Sequence, residues 1–251
     1  MEFIHKISKG SRFNQIYIPR EMDSLFEVGD LVEVKLLKKS VGLFVIGEVK
    51  LSEFKENLIR EVFSFLGKFK EVKQVFFFGS FLTKKVDYND IDLLIVAENK
   101  RFDVVIYKEI IERFNLKFHV ISIPEEKFFE LSKICPLTRN MLGQSVSNKK
   151  FNIPEKRIDK KHIEFLLMMP EDLMKIKVNS RVFYDSIRRL IVIGKFLEGK
   201  EKSRENIEKE MAENLGKMFE KIRDNEEISE KEISEIRKII KKKLNKIRKK
   251  I

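Results

Sequence analysis

Phe76-Phe77-Phe78-Gly79-Ser80-Phe81-Leu82-Thr83-Lys84-Lys85-Val86-Asp87-Tyr88-Asn89-Asp90-Ile91-Asp92-Leu93-Leu94-Ile95-Val96 is the stretch that decides the fold of this chain. Val72 to Phe78 and Ile91 to Val96 are apolar on both faces, the pattern of strands inside a sheet. Side chains alternate along a strand, so Asp90 and Asp92 project from one face while Ile91 points the opposite way, into the core. Two carboxylates beside a buried strand are costly unless a cation neutralises them. Hard oxygen donors with room for phosphate oxygens suit Mg²⁺, or Mn²⁺. Gly79 lets the backbone come close to a ligand, and Ser80 opens a short helix whose N–H groups can hold a phosphate. Lys84 and Lys85 stand in reach of the same phosphates, although loop lysines are ordinarily just solvated.

Working outward, Ser52 is an N-cap. Phe54, Leu58, Ile59, Val62, Phe63 and Leu66 then recur at helical spacing, with Gly67 at the C-terminal end. On the other side Val104 to Phe114 reads as a helix and Leu116 to Ile123 as a third strand, closed by Pro124. The order is α-β-α-β-α-β.

A Gly-Ser turn followed about ten residues later by Asp-x-Asp, both at strand ends and after a helix, resembles the nucleotidyltransferase superfamily. The short form with Asp-Ile-Asp-Leu-Leu is similar to the minimal nucleotidyltransferases of prokaryotes, which share the fold of DNA polymerase beta. The likeness spans roughly residues 52 to 130. It implies that Asp90 and Asp92 hold the metal, that Gly79, Ser80 and Lys84 hold the nucleoside triphosphate, and that a hydroxyl attacks the α phosphorus. The family usually supplies a third acidic residue from the next strand, where this chain has His119. A neutral imidazole can bind a metal or act as general base, and it equally suits a relative that has lost turnover. Asp87, in the polar loop, and Asp103, ahead of a helix, are not assigned the missing role.

The flanks read differently. Within residues 1–50, Lys9-Gly10-Ser11-Arg12-Phe13-Asn14-Gln15-Ile16-Tyr17-Ile18-Pro19-Arg20-Glu21, with strands expected over Gln15–Pro19 and Asp30–Leu36, resembles AbrB-type swapped-hairpin DNA-binding domains. That resemblance implies a homodimer, because one short hairpin cannot bury enough surface alone, and it places Lys9, Arg12 and Arg20 near DNA phosphates. After Pro154 the chain turns helical, with segments near His162–Met169, Arg181–Leu197, Ile207–Arg223 and Ile233–Ile251. The last opens on a Ser229/Glu232 capping box and carries an Ile/Leu seam, Ile233, Ile236, Ile240, Leu244, Ile247 and Ile251, that calls for a partner helix.

The expectation is therefore an α/β (α+β) nucleotidyltransferase core at 51–150, a small β module at 1–50 and an all-α domain at 151–251. A formal charge of +12 favours polyanions, and dense Lys, Glu and Ile equally describe proteins of hot environments. One cysteine in the whole chain excludes an intramolecular disulfide. With no apolar run of spanning length and no signal-like N-terminus, a cytoplasmic protein without a membrane partner is expected. The expected function is Mg²⁺-dependent transfer of a nucleotide, AMP for instance, to a hydroxyl of protein, RNA or a small molecule. The alternative is a DNA-binding regulator or antitoxin-like protein with a degenerate nucleotidyltransferase domain.

Overall fold

The apolar alternation of residues 15–36 predicts strands that the structure does not form. The structure, a computed structural model, describes residues 4–35, 41–84, 88–98, 102–176, 178–200 and 203–251, the side chains of 102 and 103 excepted. In the first of its two units, residues 1–39, the ladder is limited to β1 (Ser8–Lys9) and β2 (Asn14–Gln15), paired antiparallel. Gly10 N–H closes the turn onto the Phe13 carbonyl at 2.9 Å. A 3-10 helix follows at Arg20–Leu25, entered through Pro19, whose fixed φ suits a helix start. Ile16 to Pro19 and Asp30 to Lys35 are irregular, and Leu36 lies outside the described residues. The reason is visible in burial: none of residues 4–35 is buried, so nothing packs on these segments to hold them in a ladder.

In the second unit, residues 40–251, the sheet begins with β3 (Phe44–Ile46). Ser52 then caps α1 (Glu53–Leu66), its hydroxyl accepting the Lys55 N–H. β4 (Val72–Phe78), β5 (Ile91–Ala97), α2 (Phe102–Phe114) and β6 (Phe118–Pro124) occupy the places their patterns predict. α3 (Glu125–Ile134), α4 (Pro136–Leu142) and β7 (Ser145–Ser147) complete this part. The five strands are ordered β3-β7-β4-β5-β6, all antiparallel neighbours except the parallel pair β5 and β6. β3 and β7, at one edge, are three residues long, too short to show a period in sequence.

Both faces of the sheet are covered, which is why β4 and β5 are apolar throughout. Val75, Phe77, Leu93 and Ile95 pack under Ile59, Val62 and Leu66 of α1 and Ile106 and Ile110 of α2. Phe76, Leu94 and Val96 face the other way, onto Phe128 of α3 and Leu142 of α4. Asp92 belongs by alternation to this second face, at the end of the strand where the cover stops.

The rest is helical: α5 (Lys160–Asp172), α6 (Ser180–Glu198), α7 (Arg204–Leu215), α8 (Met218–Arg223) and α9 (Glu230–Arg248). The single helix expected over Ile207–Arg223 is two, broken at Gly216, whose φ of 55° and ψ of −130° no helix accommodates. α6 is the central member, burying Phe183, Ile187, Ile191 and Phe196 against Ile163 and Leu167 of α5, Met211 of α7 and Ile236, Ile240 and Leu244 of α9. The α9 seam thus finds its partner within the chain, and the Ser229/Glu232 capping box is present. Part of its basic face is ion-paired: Lys243 with Glu210 at 3.8 Å, and Lys246 with Glu198 at 3.3 Å, where Lys250 also docks. Among the described residues no helix is long and apolar enough to cross a membrane.

Candidate active site

The sheet topology brings one row of strand ends together. β5 starts at the rim where β4 ends, and in register Asp92 lies between Phe78 on β4 and His119 on β6. β7 begins and β3 ends at this same rim, since Phe77 pairs with Val146 and Ile46 with Ser145.

At that rim Gly79 takes φ 82° and ψ −156°, then Ser80 to Leu82 form a single 3-10 turn closed by the Thr83 N–H on the Ser80 carbonyl at 3.0 Å. A Cβ on Gly79 would lie 1.9 Å from Asp92 Oδ2. Two independent reasons therefore require glycine here, a left-handed φ and a carboxylate pressed against the Cα. The turn and the carboxylate come as near to one another as a backbone allows.

Asp92 is largely enclosed, with 14% of its side chain exposed, and burial pushes its carboxyl pKa upward. A hydrogen bond between Asp92 Oδ1 and His119 Nδ1 at 3.0 Å pulls it back, the charge of Asp90 pushes it up again, and Arg204 opposes that weakly. With Asp92 ionised the carboxylate can only accept, so the imidazole proton sits on Nδ1 and leaves Nε2 as the basic nitrogen. The ring is open to a reactant, 57% exposed.

Two guanidiniums approach from the helices. Arg204, the first residue of α7, donates to Glu208 at 2.9 Å, and Arg188 of α6 donates to Asn140 of α4 at 3.5 Å. Burial opposes the charge of both; for Arg204 the contact with Glu208 outweighs it. Both lie within electrostatic range of Asp92. Beyond the turn a cavity of about 560 Å³ opens between the sheet edge and the start of α7, bordered by Lys50, Thr83, Lys84, Asn140, Ser203 and Asn206 among others.

No family model matches this chain. No curated protein matches it. Among solved structures, spectinomycin adenyltransferase from Enterococcus faecialis, determined with ATP and spectinomycin, aligns over 79% of this chain and 100% of its own at 12% identity and a TM-score of 0.45. That likeness is too distant to carry an argument about chemistry.

The structure brings Gly79, Ser80, Asp90, Asp92 and His119 to one rim, with Lys84 exposed on the cavity wall beside them. Lys85 and Asp87 lie outside the described residues, as does the side chain of Asp103. Among the described residues no three His, Cys, Asp or Glu side chains form a ready-made metal cluster. Two carboxylates, one of them buried and short of counter-charge, are nonetheless a donor set that fits a hard divalent ion completed by phosphate oxygens and water. Lys9 on β1, Arg12 in the hairpin turn and Arg20 at the head of the 3-10 helix are all exposed within the N-terminal unit. Sequence reasoning missed Arg188 and Arg204, two among the chain's 52 basic residues with no motif around them.

Proposed function

We propose that residues 40–251 form a nucleotidyltransferase-type catalytic unit that moves a nucleotide, AMP for instance, from a nucleoside triphosphate to a hydroxyl. The observation that carries this reading is the Asp92 carboxylate packed directly against the Cα of Gly79, with Asp90 two residues away and a 3-10 turn opening at Ser80. Asp90 and Asp92 would hold Mg²⁺, which when bound neutralises phosphate charge and favours in-line displacement. Gly79, Ser80 and Lys84 receive the β and γ phosphates, while Arg188 and Arg204 close over the polyanion from the helical side. His119 Nε2 takes the proton of the attacking hydroxyl, and Asp92, bonded to Nδ1, steadies the imidazolium that results. The new bond forms at the α phosphorus as the bond to the pyrophosphate oxygen breaks, and pyrophosphate leaves. A histidine in this position supplies the base that a third carboxylate would otherwise provide, so its presence is compatible with turnover.

The test is Mg²⁺-dependent incorporation of labelled nucleotide into a hydroxyl acceptor. Loss of the signal in the Asp90→Ala, Asp92→Ala double variant, with folding intact, supports the reading. Equal incorporation by that variant, or none by the native chain across the four nucleoside triphosphates together with no triphosphate binding, sinks it.

A second role is favoured by one observation in the N-terminal unit. With Phe13, Val28, Leu31 and Val34 all exposed and nothing in 4–35 buried, that unit lacks a core of its own. We infer that it is completed by the same unit of a second copy, giving a homodimer whose Lys9, Arg12 and Arg20 meet DNA phosphates. Removing residues 1–39 should convert a dimer to a monomer in sedimentation and abolish a salt-sensitive gel shift. A native chain that sediments as a monomer and shifts no DNA ends this reading without touching the catalytic one.

A further inference from the structure

Lys55 projects from the first turns of α1 into the core and is 7% exposed. Its ammonium donates to the Thr83 carbonyl at 2.8 Å and lies 5.3 Å from the ring centre of Phe81 and 5.4 Å from that of Tyr88. Those two rings meet edge to face, 5.1 Å apart. Thr83 in turn donates its hydroxyl to the Ser80 carbonyl at 2.8 Å. One buried cation therefore touches both limbs of the segment that separates the Ser80 turn from Asp90.

Such a group is expensive to bury: desolvation lowers its pKa, and a methionine or leucine would fill the same space without that cost. A carbonyl and two aromatic faces are the partners that keep it charged. Its charge also sits behind the turn where solvent screens it little, so it adds a positive potential on the side where the turn would meet phosphate.

We propose that Lys55 is a positioning residue for polyphosphate: it fixes the Ser80 turn relative to the Asp90 strand and biases that turn toward the β and γ phosphates of a triphosphate. This rests on the catalytic reading above. It predicts a contribution that is specific to the phosphate tail, which a purely structural lysine would not make.

Calorimetric titration of the full chain with ATP, inorganic tripolyphosphate and AMP, each with Mg²⁺, separates the two. Lys55→Gln keeps a donor for Thr83 and drops the charge, and Lys55→Arg keeps the charge. For Lys55→Gln the affinity for ATP and tripolyphosphate should fall by about tenfold, the size of one charge-assisted contact, with AMP binding unchanged and Lys55→Arg recovering most of the loss. If the native chain binds neither ATP nor tripolyphosphate, the catalytic reading falls and takes this inference with it. If the native chain binds both and Lys55→Gln binds them as tightly, or loses AMP to the same extent, this inference alone is overturned. Should Lys55→Gln not fold, amide exchange in the native chain decides. Tripolyphosphate that protects residues 53–56, 81–84 and 88–90 together supports the coupling, and protection confined to 79–81 refutes it.

Discussion

Gly79 is the residue on which the site turns, because its φ of 82° and the 1.9 Å approach of Asp92 Oδ2 to a would-be Cβ act together. Gly79→Ala must either displace Asp92 or flatten the turn. The cost expected of a non-glycine residue in such a conformation is about 1 to 3 kcal/mol. In a chain of this size that lowers the melting temperature by about 2 to 4 °C for each kcal/mol. Nucleotide incorporation should fall far more than stability does, and calorimetry beside an activity assay checks the pair. A variant that melts lower yet transfers nucleotide at the native rate would show that the turn and Asp92 need not touch. Much of this residue-scale picture was legible: Gly-Ser at one strand end and Asp-x-Asp at the start of the next follow from alternation and spacing alone. His119 could be named as the departure, and its bond to Asp92 follows from the parallel register that sets the two side by side. Lys55 was overlooked although helical arithmetic puts it on the buried stripe with Ile59, Val62 and Leu66, since a lysine in that stripe reads by type as surface.

Among elements, the tie between α6 and α9 carries a pH signature. Glu198, the last residue of α6, has its carboxyl held down to about 2 by its contacts with Lys250 and Lys246, against an ordinary value of 4.5. A carboxylate whose pKa is lowered by folding stabilises the fold above its ordinary value and loses that contribution as pH falls toward the folded value. Glu198→Gln should therefore melt below the native chain at neutral pH, the gap closing between about pH 4.5 and 2. A gap of constant size across that window would mean that the ion pairs contribute nothing and only packing is disturbed. Element by element, long helices and central strands were readable because their periods run over many residues. β3 and β7 were not, being three residues each and stabilised only by pairing along β4. The break at Gly216 was missed because a lone glycine in a helical pattern is compatible with continuation until its backbone is seen to adopt φ 55°.

For the molecule as a whole, the strand order determines where chemistry can happen: carboxylates, imidazole, turn and cavity share one end of the sheet, and the helices deliver Arg188 and Arg204 there from more than sixty residues beyond His119 in the chain. No local pattern could announce that meeting. It arises from the packing of α6 and α7 against one another and of α4 against α6. The N-terminal unit is the converse case, a segment whose strand pattern is plain but whose ladder stops at two residue pairs.

The opposed charges at the rim have a thermodynamic consequence. Two carboxylates, Asp90 and Asp92, face two guanidiniums, so a lone divalent ion meets nearby positive charge and a lone triphosphate meets nearby negative charge. Brought together, each ligand cancels the repulsion felt by the other, and the affinity of either must rise by the same factor in the presence of its companion. Mn²⁺ titrated with and without ATP, and ATP with and without Mn²⁺, should return that one factor twice, and substituting Arg204 by Gln should raise the affinity for the metal alone while shrinking the factor. A metal affinity indifferent to nucleotide would mean that the rim does not treat the two as a single guest.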